Sequence, residues 1–410
     1  MGINRQCGWL ARRGGVCALT IGCAALPLLL AACTAHQPPR ADATTTREFA
    51  ANGYASVEHG VVTTTFHTWS VSGQTVRIVV SEPERAGASP LVIYLPGLGE
   101  SSDAGERWRT TWSSSGYAVM SVQPLDDDAK AWASDLARAG EFKALGRQHY
   151  AGPVMSRRVQ MLADVIAEAQ RRAAAGETVW RRIDWAKVAV AGFDLGAYTA
   201  MTVAGEHVRE AEGAAGRVNV RAAIALSPYA SHAAGSFDTR YGDIHGPVLS
   251  VTSDVDGDAL GLVEGVDLRD APFSHMNGPD KYLLSLHGLP HSRLSGTASA
   301  TGARPEAADA RPSKGNAAKA GGADSGQRRR GGKRQDPAQS DGSNRGQPSG
   351  GNGSPDAGLS PLALQLRMVA AQDITTAFLD AYLKDDPLAR AWLGADASRW
   401  LGTAGELRHK

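Results

Sequence analysis

The sequence predicts an α/β sandwich, a mostly parallel sheet of about eight strands with helices on both faces. Two observations carry this expectation. Short apolar runs rich in Val, Ile, Leu and Ala recur along the chain, as strands buried on both faces require. Between them lie segments whose apolar residues recur at helical spacing.

The strand-like runs are VVTTTFHTW from Val61, QTVRIVVSE from Gln74, PLVIYLPG from Pro90 and YAVMSVQP from Tyr117. KVAVAGFD follows from Lys187, AAIALSP from Ala222, PVLSVTSD from Pro247 and KYLLSLHG from Lys281. The clearest helix is Ser156 to Ala174, where Val159, Leu162, Val165, Ile166 and Ala169 share one face. A second long helix is expected from Pro361, in LALQLRMVAAQDITTAFLDAYL.

Length and charge set outer bounds. A chain of 410 residues suits two domains, or one large α/β domain with tails. The formal net charge of +1 gives the whole chain no strong field for nucleic acid or an anionic membrane. All four cysteines, Cys7, Cys17, Cys23 and Cys33, lie near the N-terminus. Arg5, Arg12 and Arg13 precede an apolar run from Val16 to Leu30, the layout of a secretory signal. The run ends in Leu30-Ala31-Ala32-Cys33, which resembles a bacterial lipobox. That resemblance implies a signal peptide over 1–32 and acylation of Cys33, leaving no cysteine for a disulfide. The chain is then a lipoprotein of the cell envelope, since several acyl chains hold a protein firmly at a bilayer. Thr34 follows where an inner-membrane retention signal shows aspartate, which favours the outer membrane in a Gram-negative host.

Composition divides the rest. Residues 33–60 are polar and Thr/Ala/Pro-rich and are expected to form a flexible tether. From 297 to 360 Gly, Ala, Ser, Asp, Arg and Pro dominate, and such a stretch cannot bury enough surface to offset its ordering entropy. It is expected to be a disordered insertion. Its basic cluster, Arg328 to Arg330 with Lys333 and Arg334, reads as part of a solvated linker, not as a nucleic-acid site. The folded domain is placed at 61–296 plus 361–385, with 386–410 as a C-terminal tail.

The strongest chemical signal is Gly192-Phe193-Asp194-Leu195-Gly196, directly after KVAVA and before the small-residue run AYTAMTVAG. Glycines around a central residue permit the tight strand-to-helix turn that lifts one side chain above a sheet. That residue is usually serine; here it is Asp194. In a site built on such an elbow the acid and the histidine follow the nucleophile, each just after a strand. PVLSVTSD runs into Asp254, Asp256 and Asp258, and KYLLSLHGLPH ends at His291. Asp256 is the preferred acid, with Asp254 the alternative. His291 is preferred over His287 because it lies past Gly288 and Pro290, on a loop. A calcium-loop reading of Asp254 to Asp258 fails on spacing: its sixth position is Ala259 and its twelfth Gly265. No metal and no cofactor are expected. Leu95-Pro96-Gly97-Leu98-Gly99-Glu100 follows the PLVIY strand, where one oxyanion donor belongs. The backbone N–H groups of Leu98 and Leu195 are the candidates.

Together LPGLGES, AVAGFDLGAYTAM, IALSPYA, PVLSVTSDVDGD, DKYLLSLHGLPHSRLSG and TTAFLDAYLKDD resemble the bacterial α/β-hydrolases grouped with platelet-activating-factor acetylhydrolases and dienelactone hydrolases. The likeness spans Thr63 to Gly296 plus the second long helix. It implies an α/β-hydrolase fold, an esterase framework and a triad of Asp194, Asp256 and His291. Such relatives show G-H-S-x-G-[AG], so the chain departs at the nucleophile and also at Phe193.

An aspartate elbow resembles haloalkane dehalogenases and epoxide hydrolases, in which a carboxylate attacks an sp3 carbon and the resulting ester is hydrolysed. Leu195 stands where dehalogenases usually place tryptophan, and Tyr150 and Tyr198 are the candidates for epoxide-activating tyrosines. The resemblance therefore implies a hydrolase acting on a small or lipid-like substrate. A catalytically silent lipoprotein with a binding or envelope role is the alternative. A serine esterase using Ser227 or Ser292 is disfavoured, because neither sits in such an elbow.

Overall fold

The computed structural model describes residues 40–56, 58–297 and 359–410. The signal peptide, Cys33 and almost all of the 297–360 insertion lie outside the described residues. Among those described, no helix is long and apolar enough to cross a membrane.

Nine strands form one sheet: β1 (Val62–Val71), β2 (Gln74–Pro83), β3 (Ser89–Leu95), β4 (Ala118–Val122), β5 (Ile183–Phe193), β6 (Ala222–Leu226), β7 (Val248–Ser253), β8 (Lys281–Leu286) and β9 (Gly405–His409). Their order is β1-β2-β4-β3-β5-β6-β7-β8-β9. Strands β4, β3, β5, β6, β7 and β8 run parallel, while β1, β2 and β9 pair antiparallel at the margins. With helices on both faces, this is an α/β-hydrolase architecture.

Alternation along the central strands divides the core in two. In β3, Leu91, Ile93 and Leu95 point to one side and pack with Met155, Val159, Leu162 and Val165 of the helix Gly152–Ala174. Val92 and Tyr94 point to the other side, toward Trp108, Trp112 and Phe378. The Gly152–Ala174 helix starts four residues before the apolar rhythm does, because Pro153 fits its first turn, where no backbone N–H is needed. The β1–β2 hairpin turns on Ser72 and Gly73, both at positive φ (48° and 77°), as a two-residue turn requires.

Both ends of the domain differ from the sequence-based expectation. Within the expected tether, Arg40–Ala51 is a helix. Phe49 stacks on Trp400 at 4.6 Å, and the Trp400 indole donates to the Phe49 carbonyl at 3.0 Å. Just beyond, the hydroxyls of Tyr54 and Ser56 donate to the Asp380 carboxylate, at 2.8 and 3.0 Å. The expected tail at 386–410 is also folded, into helices Pro387–Ala395 and Ala397–Leu401 and strand β9. Polar composition concealed the first segment and the charges of Gly-Glu-Leu-Arg-His the last, yet each offers a few apolar residues to a core surface already formed. Leu393, Leu401 and Leu407 are buried with the Phe378 cluster.

Deleting residues 387–410 is accordingly expected to lower the urea midpoint of unfolding and to make the domain bind a hydrophobic dye. A true tail would give neither change.

Candidate functional site

Strand β5 ends at Phe193, and the helix Leu195–Ala204 starts after a single intervening residue. Asp194 between them sits at φ 53° and ψ −112°, a conformation costing about 1–3 kcal/mol for a non-glycine residue. The strain persists because the surroundings leave no alternative. Asp194 N–H is held by the Leu226 carbonyl at 3.0 Å. A Cβ built on Gly192 would overlap the Gly196 backbone, and one on Gly196 would overlap the Leu95 carbonyl. The glycines of the motif therefore serve close backbone approach between the elbow and the end of β3.

The turn after β3 is fixed from outside. Gln123 donates to the carbonyls of Gly97 and Glu100, both at 3.1 Å. The Trp132 indole donates to the Leu98 carbonyl at 3.1 Å, and Gly99 N–H donates to the Asp128 carbonyl at 2.7 Å. Asp128 in turn ion-pairs with buried Arg158 and bonds His149 Nδ1 at 2.6 Å. Arg158 also donates to Gln123 at 3.1 Å and to Thr199, on the elbow helix, at 3.0 Å. One guanidinium thus ties the turn to the elbow.

Held this way, Leu98 N–H points at Asp194 Oδ2, 3.4 Å away. Asp194 Oδ1 accepts from the Tyr150 hydroxyl at 2.7 Å. Burial, then the nearby Asp194 charge, push the Tyr150 phenol well above its ordinary value, so it stays protonated and remains a donor. The second oxyanion candidate, Leu195 N–H, makes no bond to this carboxylate. Tyr150 stacks on Tyr198 at 5.8 Å, and both rings touch Tyr229, forming an aromatic wall beside Asp194.

Asp256 and His291, the acid and base expected from the sequence, meet directly. His291 Nδ1 lies 2.6 Å from Asp256 Oδ1. Ser227 Oγ donates to that same oxygen at 2.8 Å and lies 2.9 Å from His291 Nδ1. Thr252 donates to Asp256 Oδ2 at 2.8 Å, and Arg269 Nε stands 3.3 Å from it. Burial alone would push the Asp256 carboxyl up; the Arg269 charge and the His291 and Thr252 hydrogen bonds outweigh it and hold the group below its ordinary value.

Asp254 is turned elsewhere and accepts from Gly288 N–H at 2.6 Å, stapling the loop that leads to His291. Asp258 caps the backbone of Leu260, Leu262 and Val263. The three aspartates therefore diverge onto separate partners. His287 is exposed and contacts the Thr403 carbonyl at 3.3 Å, away from Asp256.

Asp194 and His291 neither hydrogen-bond nor ion-pair with one another. They share a neighbourhood all the same. The Phe193 ring lies 4.9 Å from the His291 ring, and Glu100 feels the charge of both residues.

Several contributors are not apparent from sequence. Ser227 was legible only as an unsuitable nucleophile; it stands at φ 58° immediately after β6 and is fully buried. Arg269 comes from a short helical turn with no motif around it. Glu100 belongs to the turn after β3, but nothing in its spacing marks it. Thr252, Ser227 and Glu100 lie within quoted motifs without being marked there as site residues, and Arg269 lies in none.

No protein-family model matches the chain, and neither does any curated protein.

Two outcomes follow from this geometry. Gly196→Ala is expected to destabilise the domain by at least about 3 kcal/mol, or to prevent folding, when measured by denaturant titration. A carboxyl with a depressed folded pKa contributes stability that is complete above its unfolded value and is lost as pH falls through the folded one. Asp256→Asn should therefore flatten stability against pH below about pH 4, where an ordinary aspartate titrates.

Proposed function

We propose that this chain is a lipid-anchored α/β-hydrolase that acts through a covalent ester on Asp194. The observation that carries the reading is the orientation of the Asp194 carboxylate on a strained elbow, with Oδ2 toward Leu98 N–H. A serine nucleophile leaves an oxyanion donor for the substrate carbonyl. A carboxylate nucleophile needs that donor on its own second oxygen, because the tetrahedral intermediate of the second step forms on the aspartate itself.

In the first step Oδ1 attacks an sp3 carbon of the substrate. A carbon–oxygen bond forms and the leaving group departs with the bonding pair. Tyr150 occupies one lone-pair direction of Oδ1 and orients the other. In the second step a water gives its proton to His291 Nε2 and adds to Asp194 Cγ, with the oxyanion on Oδ2 facing Leu98 N–H. The acyl–oxygen bond then breaks, the product alcohol takes the proton back from His291, and Asp194, left as the acid, releases its proton to solvent to restore the carboxylate. Asp256 holds the imidazole by Nδ1 and stabilises the imidazolium.

The wall of Tyr150, Tyr198 and Tyr229 suits an apolar, small or lipid-like substrate. The resemblance of Leu30 to Cys33 to a lipobox supports anchoring in the cell envelope, in the outer membrane of a Gram-negative host.

A second reading, a catalytically silent lipoprotein with a binding or envelope role, has one observation in its favour. Both Asp194 oxygens already have protein donors, and neither bonds His291.

Turnover in heavy-oxygen water separates the two. The hydrolase reading requires heavy oxygen in the Asp194 carboxylate after single turnover, read by peptide mass spectrometry; product formation with an unlabelled carboxylate would sink it. Asp194→Asn should cost about 10³-fold or more in kcat, and Asp194→Ser should gain activity on short aryl esters. Silence of the wild type and Asp194→Ser toward ester, epoxide and halide panels would favour the second reading.

A further inference from the structure

Glu100 is the one carboxyl of the oxyanion turn, and the mechanism above does not use it. Its Oε2 accepts Gly97 N–H at 2.8 Å, closing the turn on itself. Its Oε1 accepts the Thr297 hydroxyl at 3.1 Å, and Thr297 Oγ1 accepts Gly105 N–H at 3.2 Å. Thr297 lies six residues after His291, at the end of a clamped segment. The Trp108 indole donates to the Leu294 carbonyl at 2.9 Å, the Tyr94 hydroxyl to the Ser295 carbonyl at 3.0 Å, and Arg107 N–H to the Gly296 carbonyl at 3.0 Å. Glu100 is therefore the side chain that joins the loop carrying the oxyanion donor to the segment carrying the base.

We propose that Glu100 is a positioning residue that couples the direction of Leu98 N–H to the placement of His291 through its paired bonds to Gly97 and Thr297. The proposal rests on reading Leu98 N–H as the oxyanion donor. Glu100 does not touch the reacting atoms.

The coupling is proton-linked. Burial pushes the Glu100 carboxyl up to about 7, against the Gly97 and Thr297 hydrogen bonds that favour its ionised form. The titratable groups facing it are Asp194 from the elbow, His291 from its short helix and Tyr94 from β3. The Asp194 charge opposes ionisation of Glu100, and His291 favours it. When ionised, Glu100 places an anion near the imidazole and supports the imidazolium formed during water activation. When protonated, it has one acceptor oxygen fewer to share between Gly97 N–H and the Thr297 hydroxyl, so the turn and the base segment relax relative to each other.

The test reads the Leu98 amide by nuclear magnetic resonance across pH in the intact chain, without substrate. In the wild type this resonance should titrate with a midpoint near 7. Glu100→Gln should abolish that titration. Thr297→Val, which removes a bond favouring the ionised form, should move the midpoint upward and provides the test if Glu100→Gln folds poorly. A Leu98 titration that persists in Glu100→Gln, or a midpoint unmoved in Thr297→Val, would overturn the proposal. The readout does not depend on turnover: a chain inactive on every substrate panel but showing this titration would favour the silent reading and leave the coupling standing.

Discussion

The candidate site depends on how closely the elbow backbone passes the end of β3. Gly196 lies against the Leu95 carbonyl, and Gly192 lies against Gly196. Only chains without a Cβ at both positions can bring the two loops that near. The proximity sets Asp194 beside Leu98 and forces the positive φ at the elbow. The polar groups around it then lock what sterics permit, with Arg158 and Gln123 bonding to both the turn and its neighbours.

Electrostatics divides the site into two compartments. Asp256 is fully buried but compensated by Arg269, His291, Thr252 and Ser227, so it stays ionised and serves to hold the imidazole. Asp194 and Glu100 lie on the other side, with backbone N–H groups and hydroxyls as their nearest partners and no guanidinium in contact. A buried, compensated carboxylate behind the His291 ring is what the proposed mechanism asks of its acid, which holds the imidazole without itself taking up a proton.

The buried strands were legible because continuous Val/Ile/Leu/Ala runs have few other uses in a chain without a spanning segment at those positions. All eight β-patterned runs are strands, and the exposed one, β1, carries Thr and His in place of a continuous apolar run. β9 was not legible, since Gly-Glu-Leu-Arg-His carries one large apolar residue and pairs only because β8 presents an edge. The helix Arg40–Ala51 was equally silent, its place depending on Phe49 meeting Trp400 across 351 positions of sequence. At the site, the glycine-flanked aspartate and the ordering of acid and histidine could be read, because an elbow imposes its own local grammar. Arg269 could not, nor could the roles of Ser227 and Glu100, and Tyr150 was marked only as a candidate epoxide-activating tyrosine, not as a donor to Asp194. Each reaches its partner through tertiary packing, and no local spacing marks a residue that acts across the fold.

The Asp380 carboxylate is bonded by Tyr54, Ser56, Tyr117 and Lys384, gathering stretches of chain that lie hundreds of residues apart. Contacts of such long separation form late, since their loop-closure entropy must be met before they contribute. During synthesis the earliest-made part of the domain therefore has no docking surface until the helix carrying Asp380 and the two short helices after it have left the ribosome. The core on the other face of the sheet, whose buried residues run from Trp69 to Leu283, contains nothing from those late elements, so docking of the N-terminal segment is the step that waits for the end of synthesis.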